Sequence, residues 1–220
     1  MTLKLGIVGC GGMGFRHMQG ISEVMRHSDI AKLEAICDLH EEAANHVANE
    51  AEKNNGYRPK IYTDFDSMIS ESGIDILDIV TDTKTHHAFA IKAMNKGISV
   101  LTEKPMGITL KACRKMKDVQ EKNNVKLAVA ENYRRDPMNR LVKALIDEGA
   151  IGDLQMVIDV SVSGGGYLMH GTGWRAKKSL AGSLILEQGV HTSDLILYFM
   201  GKAKTIYAKT GVLNPIRKTS

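Results

Sequence analysis

Over roughly the first 130 residues, short apolar runs alternate with longer helix-forming stretches. Leu3 to Val8 reads as a strand ending at Gly9; a glycine cluster follows, and then a helical pattern from Met13 to about Met25. A second apolar run, Leu33 to Cys37, stops at Asp38 and gives way to the Ala- and Glu-rich helix Glu41 to Lys53. The alternation continues with a strand near Ile61 and Tyr62, a short helix to Glu71, a strand Ile76 to Val80 and a helix His86 to Lys96 closed by Gly97. Strand Ser99 to Thr102, helix Thr109 to Asn123 and strand Lys126 to Ala130 complete the series. Parallel strands need crossover connections, and right-handed crossovers put helices on both faces, so an α/β, doubly wound parallel sheet is expected over residues 1–131.

Past Pro137 the pattern changes. A helix to Glu148, a long strand Leu154 to Val162, a glycine-rich loop Gly164 to Gly173, a helix Ser183 to Met200 and a strand Ala203 to Val212 describe an α+β domain over residues 132–220. Two or three strands are few for an independent sheet, so this second domain is expected to be partial.

With 43% hydrophobic residues among 220, the chain can bury a core of this size. Its +4 charge is spread over 29 basic and 25 acidic residues, and no basic block marks a nucleic-acid face; the expected partner is a small molecule. Cys10, Cys37 and Cys113 lack the clustering of a zinc site or disulfide framework and read as reduced, packed thiols. No secretory leader follows Met1, and no apolar stretch approaches the ~20 residues that span a bilayer, so the expectation is a soluble cytoplasmic protein.

Gly9, Gly11 and Gly14 form GxGxxG between a strand and a helix. The first glycine turns the chain, the second admits a pyrophosphate to the backbone, and the third lets helix pack on strand. Gly12 and Met13 complete the candidate loop. Asp38 ends the second strand, where its carboxylate suits ribose hydroxyls and repels a 2′-phosphate, which favours NAD over NADP. His40 keeps the phosphate alternative open when protonated, although a loop histidine is also simply solvated.

Thr81, Thr83 and His86 follow a buried strand at the carboxyl edge of the sheet, where ligands bind in such folds, and Thr85 suits an N-cap equally well. Glu103 and Lys104 end the next strand on the same edge, and Pro105 holds Lys104 extended; a surface turn lysine is the plainer alternative. On the last long helix, Glu187 precedes His191 by four residues, which places both on one face, with Asp194 three further on. That face suits either an acid/base imidazole or a purely structural role. One histidine without cysteine makes no zinc site, so no metal is expected.

These stretches together, GIVGCGGMG at Gly6 to Gly14, EKPM at Glu103 to Met106, NYRR at Asn132 to Arg135, Trp174 with Arg175, and AGSLILEQGVHTSD at Ala181 to Asp194, resemble the Gfo/Idh/MocA family of glucose–fructose oxidoreductases and inositol dehydrogenases. The resemblance implies a Rossmann domain followed by a domain with a large, mostly antiparallel sheet that commonly mediates homo-oligomerisation. It implies that Lys104 meets both nicotinamide ribose and substrate and that His191 is the acid/base. Glu187 takes the family's aspartate position, either against substrate or orienting His191. Asn132, Trp174 and Arg175 border the cofactor, and Tyr133 and Arg134 the substrate. Relatives continue through several more strands than this chain has.

The expectation is therefore an NAD-dependent dehydrogenase acting on a secondary hydroxyl of a sugar, inositol or related polyol. The alternative is a dinucleotide-binding sensor without turnover. Asp38→Ala is expected to weaken NADH and to narrow its preference over NADPH, as read by parallel fluorescence titrations; an unchanged ratio would mean that Asp38 points elsewhere.

Overall fold

In the computed structural model, which describes residues 2–161, 174 and 177–211, six strands form one parallel sheet. They are β1 (Leu3–Val8), β2 (Ala31–Cys37), β3 (Lys60–Tyr62), β4 (Ile76–Ile79), β5 (Ser99–Glu103) and β6 (Leu127–Ala130), in the spatial order β3-β2-β1-β4-β5-β6. The order reverses between β1 and β4, and at such a switch point the loops diverge and leave a crevice at the carboxyl edge. Connecting helices are α1 (Gly12–His27), α2 (Glu41–Asn55), α3 (Phe65–Glu71), α4 (His86–Met94) and α5 (Leu110–Asn123). Each predicted strand and helix of this region is present, with ends displaced by a few residues.

The sheet is apolar on both faces because both are covered. Ile7, Ile36, Met18, Val47 and Ala48 pack on one side; Val8, Leu77, Ile79, Met94 and Met116 pack on the other. Asp78 interrupts this pattern. It lies between Leu77 and Ile79 in β4 and is only 2% exposed.

The chain divides into two compact units, Met1–Ala130 and Glu131–Ser220. The second opens with a 3-10 turn, Tyr133–Arg135, followed by α6 (Pro137–Asp147), α7 (Lys178–Ala181) and α8 (Leu184–Met200). Asp136 caps α6 by accepting a hydrogen bond from the Met138 N–H at 2.8 Å, with Pro137 in the first turn, where its missing donor costs nothing. Ser183 caps α8 through the Leu186 N–H at 3.1 Å.

The strands expected at Leu154 to Val162 and Ala203 to Val212 are not formed: residues 154–161 and 203–211 carry no strand. A strand exists only as a ladder, and no partner for either segment lies among the described residues. Met156, Ile158, Val160 and Ile206 are accordingly exposed. The loop from Gly164 to Gly173, with Tyr167 and His170, lies outside the described residues, as does Arg175. Among the described residues, no helix is long and apolar enough to cross a membrane.

Candidate active site

The loop between β1 and α1 is shaped by two contacts that leave no room for side chains. Gly9 has φ +98°, and a Cβ there would lie 2.6 Å from the Val80 carbonyl oxygen; a Cβ on Gly14 would overlap the carbonyl oxygen of Gly9 itself. Gly11 and Gly12, by contrast, face open space. The amino end of α1 starts at Gly12, with no acidic residue in its first turn, so its free N–H groups present positive potential there. Asp38 braces the loop: one carboxylate oxygen accepts the Cys10 N–H at 2.7 Å and the other the His40 N–H at 2.8 Å. Each oxygen retains a lone pair for a further donor. A tight turn, an open backbone face, a helix amino terminus and a preset carboxylate together fit a dinucleotide.

Behind this loop lies a partly buried ionic tie. His17, on α1, places Nδ1 2.8 Å from Asp78 Oδ2 and Nε2 3.0 Å from Glu103 Oε1. Burial pulls the imidazole's pKa down, but the hydrogen bonds and charges of the two carboxylates more than reverse this and push it up to about 10. Burial pushes the Glu103 carboxyl up, while His17 and then Lys104 outweigh it and hold it below the usual carboxylate range. Stabilisation from His17 is thus complete below about pH 6.5 and is lost as pH rises through about 10, whereas that from Glu103 disappears on acidification.

Glu103 also accepts the Lys104 N–H through Oε2 at 2.8 Å, and the Lys104–Pro105 peptide is cis. His86 holds the far side of this turn, with Nδ1 3.0 Å from the Pro105 carbonyl and Nε2 3.1 Å from that of Thr81. Burial lowers its pKa. His86 is 1% exposed, and both its ring nitrogens face backbone carbonyls. Thr83 is buried as well. Thr85 occupies the N-cap position of α4 without capping it, because its hydroxyl instead bonds to Asp82 and Thr81.

In the second unit, His191 Nδ1 lies 2.6 Å from Glu131 Oε1, both side chains being buried, and Tyr133 stacks on the imidazole at a centroid distance of 4.2 Å. A carboxylate only accepts, so Nδ1 carries the proton and, in the neutral ring, Nε2 is the acceptor. Arg134 binds Asp194 through two hydrogen bonds of 2.8 Å and lies over the Tyr198 ring, tying the 3-10 turn to α8. Glu187 is buried one turn before His191, Asn132 is exposed, and Trp174 is half-buried.

Residues 3–131 match a family model described as an oxidoreductase family with an NAD-binding Rossmann fold, and residues 139–219 match the GFO/IDH/MocA C-terminal domain. The chain belongs to the GFO/IDH/MocA oxidoreductase family. Among similar proteins, levoglucosan dehydrogenase of Pseudarthrobacter phenanthrenivorans is 30% identical over 98% of this chain and 56% of its own length. Inositol 2-dehydrogenase 2 of Saccharopolyspora erythraea is 28% identical over 92% of this chain and 55% of its own. The WlbA dehydrogenase of Bordetella pertussis, solved with NADH and UDP-GlcNAcA, superposes with a TM-score of 0.83 at 28% identity, covering 97% of this chain and 61% of that one. Scyllo-inositol dehydrogenase of Lactobacillus casei, solved with NAD(H) and scyllo-inositol, gives 0.73 at 28% identity, covering 90% and 56%. The chain thus spans little more than half the length of these relatives.

Within the first unit, the family's NAD-binding Rossmann fold gathers Gly9, Gly11, Gly12, Met13, Gly14 and Asp38 around one loop, with Thr81, Glu103 and Lys104 ending neighbouring strands. Within the second, Tyr133 and His191 meet directly. Sequence reasoning missed His17, Asp78 and Glu131. Asp78 carried a signal, being a carboxylate inside a strand otherwise read as buried; Glu131 and His17 carried none, since their partners lie far along the chain.

The glycines should separate by role. Gly14→Ala is expected to destabilise the chain by about 1–3 kcal/mol or more in urea denaturation, because the Gly9 backbone must move. Gly11→Ala should leave stability within about 0.5 kcal/mol and still weaken NADH binding; equal stability losses would mean that the loop has only a packing role.

Proposed function

We propose that this chain carries the catalytic machinery of an NAD-dependent dehydrogenase that oxidises a secondary hydroxyl of a sugar, inositol or related polyol, or reduces the corresponding ketone. Residues 1–131 form the dinucleotide-binding domain, and residues 132–220 belong to a substrate and oligomerisation domain. Gly9, Gly11, Gly12, Met13 and Gly14 hold the pyrophosphate, Asp38 the adenosine ribose, and Thr81, Glu103, Lys104, Asn132, Trp174 and Arg175 border the rest of the cofactor. NAD, when bound, supplies the hydride acceptor.

The observation that carries this reading is the His191–Glu131 pair. A buried imidazole held through Nδ1 by a carboxylate 2.6 Å away presents Nε2 as a proton acceptor of fixed orientation, which a ligand sensor has no need of. Glu131 therefore takes the orienting role for which Glu187 was the candidate, and Glu187 is assigned to the substrate with Tyr133 and Arg134. Lys104 donates to the reacting oxygen. The sensor alternative finds no support among the relatives, which are named dehydrogenases.

Pairing in a mostly antiparallel sheet would bury Met156, Ile158, Val160 and Ile206, and this exposed apolar surface is consistent with a homo-oligomer. Cytoplasmic residence accords with the free thiols of Cys10, Cys37 and Cys113.

Two experiments test the reading. The chain is titrated with NADH and then assayed for NAD reduction with myo-inositol, scyllo-inositol, levoglucosan and D-apiose; NADH binding with turnover of at least one is expected, and binding without any turnover favours a sensor. Lys104→Ala and His191→Ala should each lower turnover by about 10²-fold or more while leaving NADH binding largely intact. Glu131→Ala should lower turnover by about tenfold or more through the lost orientation of His191; normal rates in all three variants would remove the proposed mechanism.

A further inference from the structure

We propose that His17 is a positioning residue for the Lys104 turn: a charged ring that ties α1 to β4 and, through Glu103, fixes the backbone from which Lys104 projects. The inference rests on the reading of Lys104 as the group that meets substrate.

The geometry is one continuous path. Asp78 Oδ2 lies 2.8 Å from His17 Nδ1, His17 Nε2 lies 3.0 Å from Glu103 Oε1, and Glu103 Oε2 accepts the Lys104 N–H at 2.8 Å. Both ring nitrogens face carboxylates, which only accept, so a neutral ring would set one lone pair against an anion. The doubly protonated form alone satisfies both ends. Asp78 from β4 and Glu103 from β5, with Lys104 beside it, are the charged groups that bear on the ring. Asp78 has a further reason to hold a cation: its Oδ1 is buried without a hydrogen-bond partner, so its charge is balanced mainly through Oδ2.

The other flank of the same turn is held differently. His86 faces two backbone carbonyls rather than carboxylates, and burial lowers its pKa. Lys104 thus projects from a segment clamped on one side by an ionic tie reaching α1 and on the other by His86, set between the Pro105 and Thr81 carbonyls.

The tests are long-range ¹H–¹⁵N NMR of the His17 ring and a double-mutant cycle with Lys104. Both ring nitrogens are expected to be protonated at about pH 8, well above an ordinary histidine's titration; a neutral ring there would overturn the proposal. His17→Gln is expected to keep the NADH dissociation constant within about threefold and to lower turnover by about tenfold or more. In a Lys104→Ala background the same substitution should change turnover by less than about twofold, because its effect passes through the lysine. Losses that multiply, or a parallel loss of NADH binding, would show a general structural role instead and sink the claim. Should His17→Gln not fold, Glu103→Gln keeps an acceptor for the Lys104 N–H while removing the charge, and it should move the loss of the second ring proton to lower pH; an unmoved titration would overturn the tie. Lys104→Ala with normal turnover would defeat the catalytic reading of the lysine, a failure that the NMR titration separates from failure of the tie.

Discussion

Asp78 lies in the middle of a strand that is covered on both faces, and a carboxylate there is tolerated only with a cation against it. His17 supplies that cation from α1, the helix that begins at the glycine loop, and passes the constraint to Glu103 at the end of the neighbouring strand. A polar contact under the core therefore links the helix amino terminus to the lysine-bearing turn. Hydrophobic packing fixes the distance between helix and sheet, but it is non-directional. The ionic tie has direction, and it fixes rotation and register where a shift of an ångström would matter.

The second unit uses the same device for another purpose. Glu131 holds His191 by Nδ1, and Tyr133 lies flat on the ring, so the imidazole's orientation is set by a segment sixty residues earlier in sequence. Arg134 and Asp194 fasten that segment to α8 with a bidentate pair. In both units a histidine is oriented by carboxylates. Two carboxylates keep His17 charged, whereas the single hydrogen bond to Glu131 leaves His191 one nitrogen able to exchange a proton. The difference in partner number separates a structural cation from a candidate base.

The α/β alternation up to Ala130 was legible because each strand there is a short apolar run bounded by turn residues, and because GxGxxG joins a strand to a helix in a way that constrains both. The strands expected after Leu154 failed for the opposite reason: alternation identifies a segment capable of pairing, but pairing needs a neighbour that the segment does not contain. Thr85 failed at shorter range, since its hydroxyl found Asp82 and Thr81 instead of the helix amides.

By itself, then, the sequence determined the periodicities, the glycine loop and the acidic end of β2, and it marked Lys104 and His191 as candidates, because each is encoded within a few neighbouring positions. Only the tertiary structure decided that His17 bridges Asp78 and Glu103, that Glu131 holds His191, and that His86 is buried against two carbonyls. Apart from that of His86 with Thr81, these contacts join residues 19 to 86 positions apart in the sequence. No local pattern encodes which distant carboxylate a histidine will meet; the meeting follows from strand order and from the face of the sheet to which each side chain is turned.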